Sequence, residues 1–239
     1  MFYPRIVAHR CGGALAPENT LAGLRIAARI GCRGVEFDAM LSADGVPVLI
    51  HDETLERTTD GCGAVADHSL AQLRRLDAGS RHAVAFAGEP LPTLAEALHL
   101  CATFGLWANV EIKPSVERER ETGAAVGRLL ASGWNGHGVV SSFSEAALAE
   151  ARTCLPGAPF ALLVAAPPED WLSRLRRLGC GALHCSADHG LAVAHQAAAA
   201  GVPVACYTAN DRAGGERLLA AGIAAVCTDR PDLWLPAEM

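Results

Sequence analysis

Residues 34–52 read GVEFDAMLSADGVPVLIHD, and the fold turns on how this stretch is read. Gly34 to Asp38 is an apolar run of the kind that forms a strand buried on both faces. Glu36 and Asp38 lie two residues apart in it, so both carboxylates project to the same side. Asp44-Gly45 between two apolar segments is a hairpin signal, which predicts that Val46 to His51 folds back antiparallel on the carboxylate-bearing strand. That pairing brings His51 roughly opposite Glu36 and Asp38.

Elsewhere the chain alternates without such a return. Strand-like runs fall at Ile6 to Ala8, Trp107 to Ile112, Gly138 to Ser141, Phe160 to Val164, Gly181 to His184, Pro203 to Tyr207 and Ala224 to Thr228. Helix-like runs fall between them, at Thr20 to Ile30, Thr93 to Phe104, Glu119 to Trp134, Glu145 to Cys154, Asp170 to Leu178, Leu191 to Ala200 and Arg212 to Ala221. A strand followed by a helix, repeated about eight times, implies parallel strands joined by right-handed crossovers. In 239 residues this fits an α/β protein of the TIM (β/α)8 barrel class better than an open doubly wound sheet. An open sheet also lacks support because no GxGxxG follows the first strand. Residues 1–239 are therefore expected to form a single domain, with an insertion at roughly residues 42–90, after the second strand, forming a small cap over the barrel mouth.

Composition narrows the function. The net charge of −6 and the scattered arginines argue against a nucleic-acid partner, and any anionic ligand must be small and locally bound. No apolar run has the length of a membrane span and no signal peptide is read, so a cytoplasmic protein without stable membrane association is expected. Nine cysteines, an odd count with no CxxC pair, agree with a reducing compartment. Cys180, Cys185, His184 and His189 offer zinc-type donors, but small apolar residues in an alanine-rich core is the preferred reading. The expected partner is a small molecule, and a homodimer is compatible with this composition.

Four strand tips carry the chemistry: Val7-Ala8-His9-Arg10, Glu36-Phe37-Asp38, Leu49-Ile50-His51-Asp52 and Glu111-Ile112-Lys113. Three inward carboxylates repel one another in a semi-buried site unless a cation joins them. Oxygen donors alone select one hard divalent ion, Mg²⁺ or Ca²⁺, held by Glu36, Asp38 and Glu111. The alternative is a set of salt bridges to Arg10 and Lys113 with no metal. His9 and His51, from different elements but predicted at one mouth, suit an acid and a base acting on opposite faces of a reacting centre. Lys113 is the only lysine in the chain, which suggests that its place needs a compact ammonium rather than a planar fork. Gly12-Gly13 precedes a helix start near Asn19-Thr20, where backbone N–H groups are expected to face a phosphate.

These residues in this order resemble the glycerophosphodiester phosphodiesterase family nearly end to end. The signatures are His9-Arg10, Pro17-Glu18-Asn19-Thr20, Glu36-x-Asp38, Asp44-Gly45, His51-Asp52 with Leu55-Glu56-Arg57-Thr58, Pro92-Thr93-Leu94, Glu111-Ile112-Lys113-Pro114, Tyr207-Thr208-x-Asn210 and Thr228-Asp229. Tyr3 to Arg10 and Asp77 to Pro92 look most like the bacterial cytosolic branch. The resemblance implies a TIM barrel with an insertion after its second strand and a divalent metal on Glu36, Asp38 and Glu111. It implies His9 and His51 as the acid–base pair, Arg10 and Lys113 as phosphate ligands, and Tyr207 in the substrate pocket. The implied reaction cleaves diesters such as glycerophosphocholine or glycerophosphoethanolamine to sn-glycerol 3-phosphate and an alcohol. Two other readings stay open: a metal-dependent TIM-barrel isomerase or lyase, and a catalytically impaired phosphodiester-binding homologue. The second rests on Cys11, which stands where the family places glycine after His-Arg; backbone strain, crowding of the phosphate and an acidified, oxidisable thiol are expected there.

Overall fold

The computed structural model describes residues 1–234. Nine strands form one sheet: β1 (Ile6–Ala8), β2 (Gly34–Leu41), β3 (Pro47–Leu49), β4 (Trp107–Ile112), β5 (Gly138–Ser142), β6 (Phe160–Val164), β7 (Ala182–Ser186), β8 (Val204–Tyr207) and β9 (Ala225–Thr228). All except β3 pair in parallel, and β1 pairs with both β2 and β9, which closes eight strands into a barrel. The helices are α1 (Leu21–Arg29), α2 (Leu70–Leu73), α3 (Leu94–Phe104), α4 (Glu119–Ala131), α5 (Glu145–Cys154), α6 (Trp171–Leu178), α7 (Ala187–Ala200) and α8 (Arg212–Ala220). With α2 set aside, they surround the barrel, as the TIM class requires.

The hairpin forms as expected. β3 pairs antiparallel with the far end of β2, with Met40 opposite Val48, and Gly45 takes the positive φ of 76° that the turn demands. β2 runs to Leu41, beyond Asp38, because these last residues serve the hairpin as well as the barrel. Helix α7 begins at Ala187, four residues before Leu191, because Ser186 at the end of β7 caps it directly and no loop intervenes.

Two apolar layers hold the molecule. Outward-facing strand residues such as Phe37, Val110, Ile112 and Phe160 pack under the helices. Inside the barrel, Val7, Val139, Ala161, Ala182, Ala205 and Ala225 are small or medium-sized, and Tyr3 and Trp107 fill the floor. The Tyr3 hydroxyl bonds His184 Nε2 at 2.9 Å there, while Cys185 points outward toward Cys206. His184 and Cys185 thus face opposite sides of one strand, and the zinc-type grouping does not assemble. The segment after β3 has its own small core, with Leu55, Val65, Leu73 and Leu91 packed on Met40, Val48 and Ile50. Among the described residues, no helix is long and apolar enough to cross a membrane.

Candidate active site

The carboxyl ends of β1, β2 and β4 converge at the barrel mouth. Asp38 and Glu111 are register partners across β2 and β4, and Glu36 lies one inward step below Asp38. One oxygen from each of Glu36, Asp38 and Glu111 lies within 4.8 Å of the other two. Each carboxylate is held differently. Glu36 Oε2 accepts the Arg10 backbone N–H at 2.9 Å. Asn19 clamps Asp38 from both sides, with Nδ2 donating to Oδ2 at 2.8 Å and Oδ1 accepting the Asp38 backbone N–H at 3.0 Å. Glu36 Oε1 and Glu111 Oε1 are buried and accept no hydrogen bond among the described residues.

Burial, then the neighbouring Asp38 and Glu111, pushes the Glu36 carboxyl well above its usual range. Burial and Asp38 likewise push Glu111 up to about 8, against the pull of Lys113. Two orphaned buried oxygens in an all-oxygen set fit a hard divalent cation: it would satisfy the lone pairs and remove the repulsion that raises both acids. The three carboxylates supply the donors for that ion, whereas salt bridges alone leave Glu36 Oε1 and Glu111 Oε1 without a hydrogen bond among the described residues. Lys113 Nζ is 3.5 Å from Glu111 Oε1 and 3.8 Å from Asp38 Oδ1, and Arg10 Nε is 3.8 Å from Asp38 Oδ2.

The two histidines flank this cluster. His9 Nε2 lies 3.8 Å from Glu36 Oε2, and its Nδ1 bonds Asp229 Oδ1 at 2.6 Å. Asn210 Nδ2 in turn donates to Asp229 Oδ2 at 2.8 Å. His51 approaches from the hairpin: Nε2 meets Lys113 Nζ at 2.8 Å and Nδ1 meets Asp52 Oδ1 at 2.6 Å. Burial lowers the His51 pKa, with Arg10 and Lys113 adding to it and Asp38 and Asp52 opposing. The His9 bond is the largest influence holding Asp229 below the usual carboxylate range.

Arg10, at a φ of 48°, sends Nη1 to Glu18 at 3.1 and 3.2 Å. Tyr207 donates its hydroxyl to the Val164 carbonyl at 3.0 Å, so it offers the site a ring and not a hydroxyl. That ring meets Phe143 edge-on, with centroids 6.1 Å apart, and Lys113 Nζ lies 5.9 Å from the Phe143 centroid.

Every residue singled out at the strand tips therefore reaches one mouth, and two expectations fail. The Gly12-Gly13 loop does not present N–H groups outward: Gly12, Gly13 and Ala14 donate to the carbonyls of Arg10, His9 and Asp229. At the start of α1, Gly23 N–H is capped by Thr20 and Ala22 N–H by Glu89. Gly13, at φ 60°, instead lets this loop approach the Asp229 backbone, where a Cβ would collide. Cys11 does adopt the strained φ of 78°. Its side chain, however, is fully buried in the core away from the mouth, and burial above all raises its thiol pKa well above the ordinary value. The thiol is neither acidified nor turned toward the mouth, so of the grounds for an impaired homologue only the backbone strain stands.

Sequence reasoning gave no role to Asp229, Asn19, Arg57, Glu18, Asn210 and Phe143. All but Phe143 stand inside the signature strings; Asp52 adjoins His51 in the chain, whereas no local pattern marks Asp229 as the acid behind His9.

A closed eight-stranded barrel with three carboxylates, two carboxylate-backed histidines and two cations at its mouth has the build of a TIM-barrel enzyme that works on an anionic group beside a divalent ion. Residues 9–233 match the Glycerophosphoryl diester phosphodiesterase family, and the chain belongs to that family. It is 31% identical to the glycerophosphodiester phosphodiesterase of Caldanaerobacter subterraneus, over 95% of this chain and 94% of that one. Among solved structures, a phosphodiesterase of Oleispira antarctica in complex with the product sn-glycerol-3-phosphate is 38% identical, with a TM-score of 0.93 over 96% of this chain and 94% of the other. The glycerophosphodiester phosphodiesterase of Agrobacterium tumefaciens is 27% identical, with a TM-score of 0.79 over 97% of this chain and 99% of that one. Family membership replaces the isomerase or lyase reading.

Proposed function

We propose that this enzyme hydrolyses small glycerophosphodiesters, such as glycerophosphocholine and glycerophosphoethanolamine, to sn-glycerol 3-phosphate and an alcohol, with Glu36, Asp38 and Glu111 holding one Mg²⁺ or Ca²⁺. The observation that carries the reading is the pair of buried, unbonded carboxylate oxygens between two carboxylate-backed histidines. When bound, the cation supplies Lewis-acid polarisation of the phosphate and of the glycerol hydroxyl beside it.

The chain's own groups do the rest. Arg10 and Lys113 offset charge that grows on the phosphate oxygens. An ammonium can only donate, so His51 Nε2 bears a lone pair and its proton sits on Nδ1 toward Asp52. We assign His51 to take the proton of the glycerol hydroxyl as its oxygen attacks phosphorus. Asp229, backed by a neutral amide, keeps its charge available to support a protonated His9, which gives its proton to the departing alcohol as the P–O bond breaks. A cyclic glycerol phosphate results. Water then opens it, and the histidines exchange roles.

The proposal extends to setting and domain plan. The cysteines, free throughout the described residues, support a reducing compartment, and we place the reaction in the cytoplasm, on soluble diesters without stable membrane association. The separate small core after β3 supports one domain bearing an insertion. The test is a coupled assay of sn-glycerol 3-phosphate released from glycerophosphocholine with Mg²⁺ or Ca²⁺, with and without chelator. Release that the chelator abolishes and added cation restores is expected; no release with either ion overturns the proposal.

A further inference from the structure

His51 sits on the insertion, whereas His9, Arg10 and the carboxylates sit on the barrel, so something must fix one part against the other. Besides the Ile50 N–H bond to the Asp38 carbonyl at 3.2 Å and the Lys113 contact to His51 Nε2 at 2.8 Å, one guanidinium does so. Arg57 Nε donates to Asp52 Oδ2 at 2.5 Å and Nη2 to Asp52 Oδ1 at 3.0 Å. Its Nη1 and Nη2 also donate to Glu18 Oε2 and Oε1 at 2.7 and 2.8 Å. Asp52 holds His51, and Glu18 holds Arg10. The result is an unbroken line of charge-assisted bonds from His51 through Asp52, Arg57 and Glu18 to Arg10. His9 needs no such brace, because Asp229 and Asn210 both lie on the barrel's own strand-to-helix loops.

The turn that carries Arg57 is itself rigid. Leu55 is buried in the small core, and Thr59, also fully buried, donates through both its backbone N–H and its hydroxyl to the Leu55 carbonyl. Arg81 Nε adds a bond to the Thr59 carbonyl. A planar fork between two carboxylates is a task that lysine cannot reproduce.

We propose that Arg57 is a positioning residue, setting His51 through Asp52 and Arg10 through Glu18 at once. This rests on the catalytic reading of His51 and Arg10 above. With its side chain 46% exposed, Arg57 contributes little to global stability, and its effect belongs in the kinetics. Misplacing a reacting group by about 1 Å costs up to roughly 10²-fold.

The test is steady-state kinetics on glycerophosphocholine for wild type, His51→Ala, Asp52→Asn, Glu18→Gln, Arg57→Ala, Arg57→Lys, Arg57→Gln and the doubles of Arg57→Ala with Asp52→Asn and Glu18→Gln. Asp52→Asn is expected to lower kcat, Glu18→Gln to raise KM, and Arg57→Ala to do both, with kcat down about 10- to 100-fold and the melting temperature little changed. Arg57→Lys should recover part of the loss, and guanidinium added to Arg57→Ala should raise kcat. In the doubles, Arg57→Ala should add little to kcat on Asp52→Asn or to KM on Glu18→Gln. Should Arg57→Ala not fold, Arg57→Lys and Arg57→Gln carry the same comparison. Wild-type kinetics in the folded Arg57 variants, or fully additive losses in the doubles, overturns the inference. An inactive wild type or an active His51→Ala instead overturns the functional reading on which it rests.

Discussion

Each histidine at the mouth has an aspartate behind it, but one aspartate adjoins an amide and the other a guanidinium. Replacing either His9 or His51 with alanine should lower kcat on the order of 10² to 10⁴ while cation affinity persists, as measured by steady-state turnover and by calorimetry. Near-wild-type turnover in either variant defeats the assignment. A second prediction concerns Cys11. Because its thiol is fully buried while Cys62 is exposed, iodoacetamide should label Cys62 in the native protein and spare Cys11, as read by peptide mapping. Cys11→Gly should keep activity, and peroxide should not inactivate the wild type through this residue. The strand-tip acids and histidines were legible because spacing alone aims them. Asp229 was not: it meets His9 across 220 residues, and no local pattern predicts such a contact. Cys11 was half legible, since a φ problem follows from the missing glycine, whereas the direction of the side chain depends on how the loop packs on α1.

Among the elements, the hairpin of β2 and β3 and the segment after it differ most from a plain barrel. Asp44-Gly45 announced the hairpin, and the strand alternation announced the rest, because period and turn chemistry are local properties. The start of α7 was misplaced since Asp188 and His189 interrupt its apolar period while Ser186 caps it straight from β7. The loop before α1 was misjudged for a related reason. Glycines there looked like a phosphate cradle, but their N–H groups are spent on carbonyls that the fold brings near. Leu55 is fully buried in the small core beneath the turn that bears Arg57. Leu55→Ala should therefore cost about 2–5 kcal/mol in chemical denaturation and also lower kcat, since the Arg57 brace hangs from that turn. A loss of stability with kcat unchanged contradicts the proposed link between the cap and His51.

For the whole molecule, the carboxylate cluster couples folding, protons and cation. Burial and the neighbouring Asp38 push Glu111 up to about 8 from an ordinary 4.5, and Glu36 is raised too. Between those values the native state keeps a proton that the unfolded chain has released, so stability falls as pH rises toward 8. His51 acts in the opposite sense, but only below its ordinary 6.5. Melting of the metal-free protein should accordingly shift down from about pH 6.5 to about pH 8, and saturating Mg²⁺ should remove that decline by taking the proton's place. A metal-free melting temperature that climbs across this window contradicts the cluster's electrostatics. The sequence supports the same conclusion only qualitatively, because the number of inward acids can be counted but their burial cannot.

The most direct measurement is calorimetric titration of Mg²⁺ or Ca²⁺ into the metal-free wild type and into Glu36→Gln, Asp38→Asn and Glu111→Gln. The expected result is one saturable site in the wild type that is lost or greatly weakened in each variant, with release of sn-glycerol 3-phosphate from glycerophosphocholine lost alongside. Undiminished binding in all three variants would contradict the account at its centre.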